Sequence, residues 1–263
     1  MKLTFSTLAC MEATLPELVE YALGAGYDAL EVRLDKQDLI CGTPCEQLPL
    51  ALLHENGISI LDLGTGVTFG GYEPEKIQRA KENADLAAFV GARAIRIFAS
   101  KADTQEMNGI ARALREVSDY AGSIGVEIWL ELHFWFATGV RMKQLLDAVA
   151  SDNVKVIWDT VYSVEYGEDP EQTLAYLGSS IAHVHIKDGK KTSDPNRVTY
   201  DLTDLGCGTM PVAEILRLLQ EQKYSGYLSL EWESAWHPEL NAYYPDIPTL
   251  LSAYNCYIKA LLP

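Results

Sequence analysis

The sequence predicts an α/β fold, a (β/α)8 TIM barrel built as a single domain over residues 1–263. Short β-rich runs alternate with stretches of helical periodicity. Eight such repeats fit the chain, and no region holds strands alone. The length of 263 residues is close to the roughly 250 of a complete eight-fold barrel. Strand–helix alternation calls for parallel pairing through right-handed crossovers. A doubly wound open sheet is the alternative, but no Gly-x-Gly-x-x-Gly follows the first strand.

In chain order, the apolar, β-rich runs are Leu3–Thr7, Ala29–Arg33, Ile58–Leu63, Ala94–Phe98, Val126–Leu132, Val154–Trp158, Ile181–Ile186 and Tyr227–Trp232. After the first, Leu15, Leu18, Val19, Ala22 and Leu23 recur at helical spacing. The strongest helix is expected over Pro74–Val90, followed by Asn108–Ser123 with Ile110, Ala113, Leu114 and Val117 on one face. Gly26, Gly57, Gly91, Gly125 and Gly226 stand at helix-to-strand junctions, where a glycine stops a helix. One long segment, Asp188–Leu205, reads as irregular and holds Lys190, Lys191, Pro195 and Arg197. Loops of that length are often lids or binding loops.

Hydrophobic residues make up 48% and charged residues 22% of the chain, ordinary values for a soluble globular protein. The net charge of −16 works against a nucleic-acid partner, because affinity for a polyanion rests on Lys and Arg at phosphates. MKLTFSTLAC does not resemble a secretory signal, and no apolar run is long enough to span a bilayer. A cytoplasmic protein with no membrane partner is the expectation. The five cysteines are scattered, and Cys41 and Cys45 lack a matching second pair. Reduced thiols are therefore expected rather than a Cys-rich zinc site.

In such barrels the chemistry sits at the C-terminal ends of the strands. Strand five reaches Glu131 and His133, and strand six ends at Asp159. Strand seven carries His183, His185, Lys187 and Asp188, and strand eight carries Glu231 and Glu233. A carboxylate inside a run such as Ile-Trp-Leu-Glu-Leu needs a partner or a metal, since burying it unpaired costs several kcal/mol. Glu131 and Asp159 are 28 residues apart, and Asp159 and His185 are 26 apart, about one βα unit each. The 46 residues on to Glu231 equal one unit plus the long loop. Glu131, Asp159, His185 and Glu231 thus fall in register at one rim. Three carboxylates and an imidazole suit one divalent ion: Mn²⁺, Zn²⁺, Co²⁺ or Mg²⁺.

Particular stretches carry a family resemblance along nearly the whole chain. They are Gly26–Arg33, Gly91–Phe98, Leu130-Glu131-Leu132-His133, Trp158-Asp159-Thr160, His183–Asp188, Leu205-Gly206-Cys207-Gly208 and Leu228–Glu233. In these the chain resembles the xylose-isomerase-like superfamily, the sugar phosphate isomerases and epimerases together with AP endonuclease family 2, which also includes inosose dehydratases. The resemblance implies a metal held by Glu131, Asp159, His185 and Glu231. It implies that Glu131 and Glu231 are also the catalytic acid–base pair, on opposite faces of the substrate. The expected reaction is isomerisation or epimerisation of a sugar, sugar phosphate or polyol by proton transfer through a metal-bound enediolate. A dehydratase of inosose or dehydroshikimate type is the alternative, and a non-catalytic sugar-binding barrel the third. The expected partner is a small carbohydrate, and similar proteins often form homo-oligomers.

Two positions depart from the family pattern. Tyr162 stands where many relatives have His, and Cys207 lies between the glycines where relatives often have an acid. Endonuclease IV uses several additional histidines, whereas this chain has five in all, which disfavours DNA repair. His133 shares the parity of Glu131, and Lys187 continues that of His185 to the rim. These two, Arg197 in the long loop and Trp232 beside Glu231 are the candidate substrate contacts. His183 is expected to be a satisfied core histidine.

Overall fold

The structure, a computed structural model, describes residues 1–34, 39–40, 42–100, 104–192 and 200–262. Its strands are β1 (Lys2–Ser6), β2 (Ala29–Arg33), β3 (Leu39–Ile40), β4 (Thr43–Pro44), β5 (Ser59–Phe69), β6 (Ala94–Ala99), β7 (Glu127–Glu131), β8 (Val154–Asp159), β9 (Ile181–His185), β10 (Asp188–Lys191), β11 (Tyr200–Thr203) and β12 (Tyr227–Leu230). Eight of them close in the order β1-β12-β9-β8-β7-β6-β5-β2, and every pair in that ring is parallel. The expected TIM barrel is the observed one. Around it lie α1 (Leu15–Ala25), α2 (Leu50–Glu55), α3 (Pro74–Val90), α4 (Thr104–Ser123), α5 (Gly139–Val149), α6 (Thr160–Glu165), α7 (Pro170–Leu177), α8 (Val212–Glu221) and α9 (Ile247–Leu261). Among the described residues, no helix is long and apolar enough to cross a membrane.

The alternation of side chains along a strand places both the core and the site. Ala29, Leu61, Ala94, Trp129 and Ile157 form an apolar plug inside the barrel. On four of those strands the inward residue two places further on is polar: Glu31, Arg96, Glu131 and Asp159. On β9 the same step leads from His183 to His185. A period of two residues therefore carries these strands from plug to charge in one step. The outward residues, such as Leu30, Ile95, Leu130, Val156 and Val184, pack beneath the helices in the larger core.

Three expectations are corrected. β5 runs on to Phe69, past the expected end at Leu63, because its register with β6 shifts between Gly64 and Thr68 and lets pairing resume. Gly226 is not a helix stop: α8 ends at Glu221, and Lys223 takes the left-handed turn at φ +56°. The segment Asp188–Leu205 is not wholly irregular, because β10 and β11 pair as an antiparallel ribbon.

That ribbon is anchored by one carboxylate. Asp188 accepts backbone N–H groups from Gly189 (2.8 Å), Gly206 (2.9 Å), Gly208 (3.0 Å) and Met210 (3.1 Å). Gly206 adopts φ +81°, and a Cβ on Gly208 would sit 2.0 Å from Asp188 Oδ1. Gly208→Ala should therefore lower stability by about 2 kcal/mol or more, while Cys207→Ala, at an exposed position, should stay within about 0.5 kcal/mol of wild type. Denaturant melts of the two variants check this, and equal stability would contradict the anchoring role.

Candidate metal centre

Glu131 ends β7, Asp159 ends β8, His185 ends β9 and Glu231 directly follows β12. One donor atom of each lies within 4.8 Å of the others, and all four residues are buried. The four strand tips predicted from sequence do converge. His185 Nδ1 stands 3.2 Å from Glu231 Oε2 and 3.9 Å from Asp159 Oδ2. This nitrogen is buried and has no hydrogen-bond partner among the described residues. An orphaned ring nitrogen facing three carboxylates is the donor set a hard or borderline divalent ion takes. The residues present fit the expected metal.

Two cations sit against the same carboxylates. Lys187 Nζ lies 2.7 Å from Asp159 Oδ2 and 2.5 Å from Glu231 Oε2, and it also pairs with Glu233. Arg96 donates to Glu131 Oε2 at 2.9 Å and lies 3.7 Å from Glu231 Oε1. Its other terminal nitrogen donates to the carbonyl of Thr65. Arg96, Glu31 and Asp62 are not among the site residues expected from sequence. Each nevertheless carried the signal that exposed the ligands, a charged residue inside an apolar strand.

Burial and pairing pull the charged groups in different directions. Burial pushes the Glu131 carboxyl up to about 7, against the pull of Arg96. Burial also opposes ionisation of Glu231, but Lys187, His185 and Arg96 outweigh it and hold that carboxyl well below its ordinary range. Asp159 is lowered in the same way, chiefly by Lys187. Burial disfavours charge on His185 and Lys187, yet the surrounding carboxylates raise both well above their ordinary values. Asp62 is the exception. It is wholly buried, neither oxygen has a hydrogen-bond partner among the described residues, and burial beside Glu31 raises its carboxyl well above the usual range.

The remaining candidates fall in different places. His133 flanks the cluster, tilted against Phe134 (3.9 Å between centroids) and Tyr162 (4.2 Å) and edge-on to Phe98 (5.2 Å), and burial lowers it to about 4. Tyr162, one of the two departures from the family pattern, thus packs on His133, and its ring lies 5.5 Å from Lys187 Nζ. Trp232 is buried against Tyr243 and Tyr244. Arg197 lies outside the described residues. His183 is fully buried, 2.9 Å from Glu31 Oε2.

The sequence profile of the xylose isomerase-like TIM barrels matches residues 19–250. An inosose dehydratase of Clostridium botulinum (strain Alaska E43 / Type E3) is 29% identical over 144 residues, 49% of this chain and 48% of that protein. A fructoselysine 3-epimerase of Escherichia coli O157:H7 is 26% identical over 139 residues, 51% of this chain and 48% of that protein. The chain thus spans about half the length of the curated relatives it matches. Among solved structures, the IOLI protein with a binding zinc atom superposes with a TM-score of 0.79 at 21% identity, covering 100% of this chain and 98% of that one. At that identity the likeness shows the fold.

Asp62 supplies a test of the electrostatics. A carboxyl raised on folding binds its proton more tightly in the folded state. Its contribution is therefore present in acid and is lost as pH rises from the unfolded value toward the folded one. In metal-free protein, Asp62→Asn should raise the melting temperature at pH 7, and the gain should vanish toward pH 4. The gain is bounded by about 1.4 kcal/mol per pH unit between the two values. An equal gain at both pH values, or a loss at pH 7, would contradict the assignment.

Proposed function

The chain belongs to the xylose isomerase-like TIM barrel family, and from that premise we propose that it is a metal-dependent isomerase or epimerase of a sugar or polyol. The observation that carries this reading is the pair Glu131 and Glu231. They are two buried carboxylates from opposite flanks of the Asp159–His185 edge, both in the same four-residue cluster. Glu131, Asp159, His185 and Glu231 would hold the ion, and a divalent ion at that place supplies Lewis acidity that stabilises negative charge developing on substrate oxygens.

The chain's own groups supply the rest. Epimerisation begins with removal of a proton from carbon beside a carbonyl and ends with its return to the other face. In the metal-free chain the two carboxyls already differ, Glu231 held ionised by Lys187 and Glu131 pushed up by burial. Groups whose surroundings separate their proton affinities are suited to serve as base and acid. Arg96 orients Glu131 from below. Lys187, an ammonium that stays charged, is placed to bind a substrate oxygen or carboxylate. His133, lowered by burial, stays neutral and can donate or accept a hydrogen bond from substrate. The aromatic wall of Phe98, Phe134 and Tyr162 around it suits the apolar face of a sugar.

The likeness to inosose dehydratase favours a second reading in which the same proton abstraction is followed by loss of hydroxide from the next carbon. Incubation of manganese-loaded protein with 2-ketohexoses and with inosose in D₂O separates the two. Deuterium entering a C–H bond without a new enone absorbance supports isomerisation or epimerisation, and a growing enone band supports dehydration. Glu231→Gln should lower the exchange rate by about 10²–10⁴-fold. Exchange at the wild-type rate in that variant would remove Glu231 from the mechanism.

A further inference from the structure

We propose that Glu31 is a positioning residue of the metal centre, whose carboxylate determines which ring nitrogen of His185 faces the ion. The inference rests on the four-ligand reading above and extends it to a residue on the opposite side of the imidazole. Glu31 projects inward from β2 and is 1% exposed. Its Oε2 lies 2.9 Å from His183 Nε2, 2.9 Å from His185 Nε2 and 2.9 Å from Ser229 Oγ. One oxygen therefore gathers two elements of the barrel, β9 and β12, onto a third.

An ionised carboxylate only accepts hydrogen bonds. All three neighbours must therefore turn a hydrogen toward Glu31. Three polar neighbours converge on the one oxygen at hydrogen-bond distance, which makes Oε2 the acceptor for all three. The hydrogen on His185 Nε2 is thus the one held toward Glu31, and Nδ1, once it gives up its own proton, is the nitrogen left to donate a lone pair. Nδ1 is also the atom that faces Glu231 and Asp159. A metal-bound histidine whose far nitrogen donates to a carboxylate is held in one tautomer and orientation, and losing that carboxylate typically weakens metal binding 10–100-fold.

Glu31, His183 and His185 could also be taken for a metal site in their own right, since their donor atoms cluster closely. The separations favour hydrogen bonds: each nitrogen stands from the shared oxygen at the ordinary N–H···O distance. Ser229 occupies the same oxygen as well. His183 is packed flat on Trp129, with ring centroids 5.8 Å apart, in the apolar plug below the site. His183 and Ser229 then share one task, holding Glu31 in place for His185.

The test uses the whole chain stripped of metal and titrated with Mn²⁺ by calorimetry, as wild type, Glu31→Gln and Asp159→Asn. The expected result is one ion per chain in every case, with affinity 10–100-fold weaker in Glu31→Gln and weaker also in Asp159→Asn. Wild-type affinity in Glu31→Gln with a loss in Asp159→Asn overturns the role of Glu31 and leaves the four ligands standing. Unchanged affinity in both variants overturns the four-ligand reading as well. Two ions per wild-type chain, with one lost in Glu31→Gln, overturns the proposal in favour of a second metal site. If Glu31→Gln does not fold, wild-type protein labelled with ¹⁵N-histidine and loaded with zinc still decides the matter. A protonated Nε2 and a metal-bound Nδ1 on His185 support the proposal, and the reverse assignment overturns it. A purely structural Glu31 would move the melting temperature and leave that nitrogen pattern undetermined by residue 31.

Discussion

The site depends on charge balance among groups that water does not reach. Glu31, Asp159 and Glu231 are all held ionised inside the barrel. His185 and Lys187 are raised above their ordinary values by those same carboxylates, and Arg96 chiefly by Glu131 and Glu231. Three anions thus face three cations, while Glu131 and Asp62 are pushed toward their neutral forms. Removing one member of such a set leaves a buried charge uncompensated, which typically costs about 3–5 kcal/mol. The set also bounds what a divalent ion must do on entering. An ion held there would replace the proton on His185 Nδ1 and would compete with Lys187 for Asp159 and Glu231.

The barrel makes this arrangement attainable. On β2, β6, β7 and β8 the inward-facing position at the plug is apolar, and the residue two places further on is charged. Trp129 closes the interior beneath Glu131 and packs on His183, so the charged layer rests on a dry floor. The helices and their caps set how the strand tips meet. The capping box of Thr14 and Glu17 fixes the entry of α1, and the Tyr27 hydroxyl donates to the Leu251 carbonyl to seat α9 against the first repeat. Rigidity at the rim follows from strands paired on both sides, which suits groups that must stay aligned to within a fraction of an ångström.

Much of this was legible in the sequence. The eight strands of the barrel announced themselves as apolar runs, and Glu131, Asp159, His185 and Glu231 stood out as polar residues inside such runs at a spacing of one βα unit. Glu31, Arg96 and Asp62 carried the same mark. Glu31 and Arg96 were missed as site residues because partners such as Glu131, His185 and Ser229 lie 35, 154 and 198 residues away and only closure of the ring brings them together, while Asp62 has no hydrogen-bond partner among the described residues to mark it. Lys187 was expected to touch substrate, and its pairing with two of the ligands depends on side-chain reach rather than on spacing. The ribbon β10–β11 was unreadable for a different reason. Its first segment, Asp-Gly-Lys-Lys, holds no apolar residue, and the alternation of the second, Tyr-Asp-Leu-Thr, lasts only four residues.

The central claim is that the four strand-tip residues form a metal site whose occupation displaces Lys187. Anomalous diffraction at the manganese edge from crystals soaked in Mn²⁺ tests it most directly. The account predicts one peak per chain bonded to Glu131, Asp159, His185 Nδ1 and Glu231, with Lys187 Nζ withdrawn from Asp159. No peak at that place, or a peak with Lys187 still bridging Asp159 and Glu231, would contradict it.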